Sequence, residues 1–278
     1  MSTFLASGPN LGRGGIGAWL AGLSTAGKAG VLAVEVVVML LIWQLVVGVF
    51  GWINPVFFPP PSAVAQGFSE LWSSGVLAPN AAVSFVSWIT GFAIAVVIGI
   101  PVGLLMGAVL PVDRVVGPIA WTIYATPSIA YYPLAKAWFG FGIGPVVFLV
   151  TISAIFPIML NVAAGMRTTN TSIIRAGRVY GANRTQLYRS VYLPSTVPFL
   201  FAGLRQAVVL ATIGMIVAEM SGSSAGMGTV IIRAANTYQT DQSFAAIAIV
   251  VVWSVGMTQV VTLVERWTAP WTKKGGRR

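Results

Sequence analysis

The 278-residue sequence contains no cysteine and no histidine. Their absence removes thiol nucleophiles, histidine general bases, histidine-based triads and nearly every zinc or haem arrangement. It also leaves no disulfide to report a redox compartment. Acidic residues are scarce, six against 16 basic ones, and charged residues make up only 8% of the chain. Soluble domains run near ~25% charged, so this chain cannot dress a water-facing surface of its size. What it has is apolar length, with 56% hydrophobic residues. That excludes intrinsic disorder, which needs low hydrophobicity and high charge, and reads as a membrane protein.

The net charge of +10 raises the question of a nucleic-acid surface. Phosphate binding needs basic residues gathered on one exposed face. Here they flank long apolar runs, the pattern that membrane insertion imposes, so no nucleic-acid partner is expected. The first run, Val31–Ile53, holds only Glu35 as a charge. At ~1.5 Å per residue it reaches roughly 35 Å, enough for a ~30 Å hydrocarbon core with some tilt. It is too long for a signal peptide. Further spans are expected at about 81–110, 115–138, 146–164, 199–218 and 245–263. The fold class is therefore all-α, a polytopic protein of six transmembrane helices.

Local punctuation refines this picture. Phe57-Phe58-Pro59-Pro60-Pro61 closes the first span and leads to a short external helix over Ser62–Trp72. Gly99, Gly103 and Gly107 make a smooth stripe that lets a second helix approach closely, and Pro101 predicts a kink. Pro118, Pro127 and Pro133 interrupt the third stretch. An even number of spans puts both termini on one side. That side carries Arg13, Lys28, Arg114, Arg167, Arg175, Arg178, Arg184, Arg189, Arg205, Arg266, Lys273, Lys274, Arg277 and Arg278, leaving only Lys136 and Arg233 opposite. The asymmetry predicts cytoplasmic termini, a tail at 1–28, a transmembrane body at 29–265 with a cytoplasmic loop at 165–198, and a basic tail at 266–278.

The 165–198 loop is too long for a simple connector. Thr169, Asn170, Thr171 and Ser172 offer N-cap oxygens, and Gly181 can supply a left-handed stop. Between them Ile173, Ala176, Gly177 and Tyr180 share a helical face with a small-residue centre, while Arg175 and Arg178 point elsewhere. A second short helix, about Thr185–Tyr192, should end at Leu193-Pro194. Such an element can sit in another protein's groove or lie on lipid.

The run Arg175-Ala176-Gly177-Arg178-Val179-Tyr180-Gly181-Ala182, followed by Leu193-Pro194, Pro198 and Gly203-Leu204-Arg205, resembles the EAA loop of ABC importer permeases. Pro60-Pro61-Ser62, Thr126-Pro127, Tyr132-Pro133-Leu134, Trp138 to Gly142, Ala218-Glu219-Met220 and Gly226-Met227-Gly228 resemble the nitrate/sulfonate/taurine/bicarbonate branch. Two positions depart from the pattern: Arg175 stands where the family has Glu, and Gly177 where it has a second Ala. The resemblance implies a type I importer permease in the bacterial inner membrane, pairing with a second permease copy. It also implies two ATP-binding subunits, which would hold the ATP and Mg, and an external, periplasmic or lipid-anchored substrate-binding protein. No cofactor and no enzymatic activity are expected of this chain itself. Arg175, Ala176, Gly177, Arg178, Gly181, Leu193 and Pro194 would couple to the ATPase, and Arg175 would favour a locally acidic partner. The substrate class implied is a small anion or organic acid.

Other features weigh less. Gly22-Leu23-Ser24-Thr25-Ala26-Gly27-Lys28-Ala29 nearly matches a P-loop, but Ala29 lacks the Mg-binding hydroxyl and no strand precedes it. Ionisable residues at membrane depth carry ~2.5–3.5 kcal/mol on insertion scales. Glu219, Lys136 and Arg205 are thus either interfacial or ion-paired anchors, or gate and pathway groups. Thr126, Ser128, Tyr131 and Tyr132 sit in the Pro-broken stretch, where irregular backbone is tolerated beside a cavity or packed protein. They are candidates for the substrate path. The competing functional classes are an ATPase-independent secondary transporter or channel, and a membrane scaffold whose loop binds a soluble partner.

Overall fold

The computed structural model describes residues 25–271. Most of the expected 1–28 tail, the start of the near-P-loop run and the last lysines and arginines lie outside the described residues. The chain divides into two units, 1–63 and 64–278. In the first, α1 (Thr25–Trp43) runs into a π-helical turn at Gln44–Val49. Gln44 then pins the start of the next element, its Oε1 accepting from the Ser62 backbone at 3.1 Å and its Nε2 donating to Ser62 Oγ at 3.2 Å. α1 presents Leu32, Val34, Met39 and Leu41 outward, each more than half exposed, which suits a helix solvated by lipid.

Helix α2 (Pro61–Ser73) leads into the second unit, which continues with α3 (Leu77–Ala108), α4 (Leu110–Ala125), a 3-10 turn (Ser128–Tyr131) and α5 (Tyr132–Phe139). It continues with α6 (Gly144–Arg167), α7 (Thr171–Val179), α8 (Arg184–Leu187), a π turn (Tyr188–Tyr192), α9 (Leu193–Met220), α10 (Met227–Asn236) and α11 (Thr240–Thr268). No strand occurs among the described residues.

Five stretches of the described chain are long and apolar enough to cross a membrane: 30–49, 77–108, 144–167, 184–220 and 240–268. The third expected span, 115–138, is divided into α4 and α5 with an irregular corner between them. The cause is local. Pro127 disfavours a helical Thr126, which is extended at φ −80°, ψ 130° and ends α4. Pro101 behaves differently: α3 runs through it without a break.

α6 is the centre of the second unit, with α3 on one side and α9 on the other. The stripe on α3 is what allows this. A Cβ at Gly103 would lie 2.6 Å from the Met159 carbonyl oxygen, and one at Gly91 2.7 Å from that of Val147. Gly99 and Gly107 abut Ile158 and Met166 in the same way, and Ala95 is fully buried between them. α9 does likewise with Gly203 against Pro157 and Ile158, and Gly214 against Ser153. Lipid tails are as apolar as the helices, so association rests on such close van der Waals packing. Trp88 is buried in this core, stacked on Phe92 at 4.7 Å and donating its indole N–H to Thr212 Oγ1 at 3.1 Å.

A second apolar cluster joins α2, α10 and α11 through Leu71, Val230, Ile231 and Ala246. Arg167 and Asp113 form an ion pair that ties the α3–α4 corner to the end of α6.

Candidate functional site

The expected coupling segment folds as a hairpin of two short helices. Asn170 caps α7, its side chain accepting from the Ser172 N–H at 2.9 Å. The helix ends in a Schellman motif: the Gly181 N–H donates to Arg178 O at 3.0 Å and the Ala182 N–H to Gly177 O at 2.9 Å. Gly181 stands at φ +81°, where a side chain would be strained. A reciprocal capping box then starts α8, with Asn183 and Gln186 exchanging 2.8 Å bonds between side chain and backbone. Every turn of the hairpin is fixed by its own sequence.

Its packing differs from the expected smooth face on α7. Gly177 is used within the hairpin, since a Cβ there would lie 2.7 Å from Leu187 Cδ2. Ile174, rather than Ile173, turns inward; Ile173 is 51% exposed. The hollow lies between the two arms, about 430 Å³, lined by Gly177, Tyr180, Gly181, Gln186 and Leu187. Val179 and Tyr180 project beside it, 84% and 90% exposed. Arg175, Ala176 and Arg178 are exposed as well. Leu193-Pro194 does not end the second arm, as the sequence suggests. In the π turn at Tyr188–Tyr192 the Leu193 N–H donates to Tyr188 O, and the helix runs on through Pro194, which has no N–H, as α9.

The Pro-broken stretch brings Thr126, Ser128 and Tyr131 to one cavity of about 230 Å³, closed by α6 and α9 through Ser153, Phe156 and Ile213. Tyr132 is placed elsewhere, in the core at 6% exposure. The sequence gives no sign of Ser153, nor of a polar rail crossing from α4 to α9 and α6. In that rail Gln206 Nε2 donates to Tyr124 Oη at 2.9 Å, and Asn161 Nδ2 donates to Gln206 Oε1 at 3.2 Å. Single polar residues inside apolar helices carry no periodic signal, so only the tertiary fold gathers them.

Glu219 makes no ion pair among the described residues. It is 1% exposed, and its carboxyl group accepts from Ser84 Oγ at 2.7 Å and from the Gly228 N–H at 2.8 Å. Ser84 Oγ in turn accepts from Met227 N–H, and Asn80 Oδ1 from Gly226 N–H, both at 2.8 Å. The free N–H groups that open α10 are thus satisfied by side chains from α3 and α9. The spacing of Gly226-Met227-Gly228 follows from this. Gly226 sits at φ +121° against the Glu219 carboxyl, and a Cβ on Gly228 would lie 2.6 Å from Ile216 O.

Arg205 pairs with Glu265 of α11 and is an anchor between helices. Lys136 lies over the Phe141 ring, 4.5 Å from its centroid. Among the described residues no cluster of acidic side chains could hold a metal ion.

A 30% identical protein is the putative aliphatic sulfonates transport permease SsuC of Bacillus subtilis, matched over 84% of this chain and 84% of its own length. Another, also 30% identical, is the riboflavin transport system permease RibX of Chloroflexus aurantiacus, over 86% and 89%. The fold resembles that of an amino acid ABC transporter crystal structure at TM-score 0.58 and 18% identity, over 71% of this chain and 96% of the other. The relatives are permease subunits, not enzymes. A family model spanning residues 99–273, from the packed stripe of α3 through the hairpin to the end of α11, matches as well. With its lipid-exposed helices and its importer-permease fold, the chain belongs to the binding-protein-dependent transport system inner membrane components.

Proposed function

We propose that this multi-pass protein is the permease of an ATP-driven importer in which two copies enclose the solute path. ATP-binding subunits grip the 171–192 hairpin from the cytoplasm, and an external binding protein delivers the solute. The tails at 1–28 and 266–278 then flank the 29–265 body on the cytoplasmic face of the inner membrane, on the side where the basic residues gather.

The observation that carries this reading is the construction of the hairpin. A segment with no core of its own is held rigid by a cap, a Schellman turn and a capping box, yet leaves Val179 and Tyr180 in the open. Exposed side chains of this size on a preformed scaffold are what a partner's groove takes up at little ordering cost. The second arm is continuous with α9 from 184 to 220. Displacement of the hairpin is therefore carried along one helix to the α6 crossing at Gly203 and Gly214. ATP-driven closure can in this way bias two arrangements of the path.

Two substitutions test it. Gly181→Val strains the φ +81° position and swings Tyr180 off its mount. Affinity purification from native membranes should then recover the chain without an ATP-binding subunit, whereas the wild type brings one along. Equal recovery from both would refute the docking reading. Arg175→Glu is milder. No acidic residue lies between Asp113 and Glu219, so the hairpin presents only positive charge. Exposed pairs contribute under ~1 kcal/mol each, and a reversal should weaken assembly several-fold at low salt and little at high salt.

A further inference from the structure

We propose that the N-terminal half of α1 is an interaction surface for a second copy of this chain, keyed by an ion pair between Glu35 of one copy and Arg114 of the other. The inference rests on the two-copy permease reading above and names one of its contacts.

The chain has six acidic residues, and five of them have an evident place. Asp113 pairs with Arg167 and Glu265 with Arg205. Glu219 accepts from Ser84 and the Gly228 N–H, and Glu70 accepts from Gln242. Asp241 stands in the first turn of α11, where the helix dipole favours a negative charge. Glu35 is left over. Among the described residues it makes no ion pair and no hydrogen bond, and it is exposed.

Its position makes that isolation expensive. Glu35 lies five residues inside the apolar stretch 30–49, roughly 7.5 Å at ~1.5 Å per residue. Every residue from Leu32 to Ile42 is exposed. Packing begins only at the far end of the helix, where Val47 is buried and Gln44 holds Ser62. Lipid solvates the leucines and valines of the bare half but not the carboxylate. Ionisable groups at this depth ordinarily pair with one another or face protein.

The arginines of the spanning helices are the complement. Arg167 and Arg205 are already taken. Arg266 stands two residues before the end of α11, where the chain leaves the helix. Arg114 is in the second turn of α4, exposed and without an ion pair among the described residues. Its neighbour Asp113 is committed to Arg167. Val115 and Ile119 beside it are 66% and 56% exposed. α4 therefore carries what α1 carries, a bare apolar face with one unanswered charge, and the sign is opposite. A guanidinium can meet a carboxylate with two parallel N–H···O bonds. Each chain holds both halves of the pair, so two copies related by a two-fold axis make it twice.

Charge reversal on separate copies tests this. Tagged and untagged chains are co-expressed and recovered through the tag from membranes in mild detergent. In a Glu35→Arg pair two arginines meet, and in an Arg114→Glu pair two carboxylates meet. Recovery of the untagged copy should fall about tenfold in both, the size of a polar contact between membrane helices. Tagged Glu35→Arg with untagged Arg114→Glu restores two opposite pairs, and recovery should return to the wild-type level. The same two chains are used in both arms, so misfolding of either would not give that rescue. Unchanged recovery of the single variants, no rescue in the mixture, or rescue only when both changes sit on one chain would each overturn the proposal while wild-type copies still co-purify. Failure of the wild-type copies to co-purify would overturn the two-copy reading and this contact with it.

Discussion

Replacing Glu219 by Leu should lower the thermal stability of the purified permease by roughly 5–15 °C. Leucine fills comparable volume but removes the acceptor of both the Ser84 hydroxyl and the Gly228 N–H, which stay buried. Each donor left unsatisfied costs about 1–3 kcal/mol, and about 1 kcal/mol shifts the midpoint of a chain this size by ~2–4 °C. The loss is local before it is global. With its N-terminus uncapped, α10 loosens from α3 and α9, and the 221–226 turn becomes the first site of proteolytic cleavage. Glu219→Gln keeps one acceptor oxygen and should lose about half as much. Tryptophan fluorescence during heating in detergent, with limited proteolysis beside it, reads both. Unfolding of Glu219→Leu at the wild-type temperature, with no new cleavage, would show that the carboxyl group is not what holds α10.

Gly103→Leu should have the largest effect on assembly of the fold. A Cβ at this position would already lie 2.6 Å from the Met159 carbonyl oxygen and 2.9 Å from Val162 Cβ. Both neighbours belong to the central helix, and the nearer atom is backbone, so neither can step aside cheaply. Overpacking a tight core costs typically ~1–3 kcal/mol and sometimes more. Here the added side chain also wedges α3 from α6 along the whole stripe. The control is Gly256→Leu on α11, where nothing lies within 4 Å of a Cβ. Expression in membranes and monodispersity on size-exclusion chromatography should fall sharply for the first variant and stay at wild type for the second. Similar behaviour of the two would mean that the α3–α6 contact is not the centre of the packing.

These two cases show what could and could not be read from the chain. Gly99, Gly103 and Gly107 announce a close helix contact by their spacing alone, because a stripe of small residues has few other uses in an apolar helix. Their partner, α6, has no matching mark. Gly181 announces its left-handed turn, since few residues tolerate that backbone. Gly177, four residues earlier, reads as part of a smooth outer face, and only the fold shows that its missing side chain makes room for Leu187 of the second arm. Glu219 stands out as a charge at membrane depth, yet its partners lie 135 and nine residues away and include a backbone N–H.

By itself the sequence determines the solvent, the helical class and the local turns. Hydrocarbon leaves a backbone no alternative to internal hydrogen bonds, and caps, prolines and left-handed glycines act within a few residues of where they stand. The tertiary structure alone decides which side chains share a cavity and which buried donor meets which acceptor. It also decides that α6 is the helix against which α3 and α9 both pack. These relations join positions separated by tens to more than a hundred residues, and a hydroxyl such as that of Ser153 has the same local surroundings in the sequence whether it is satisfied or left buried without a partner.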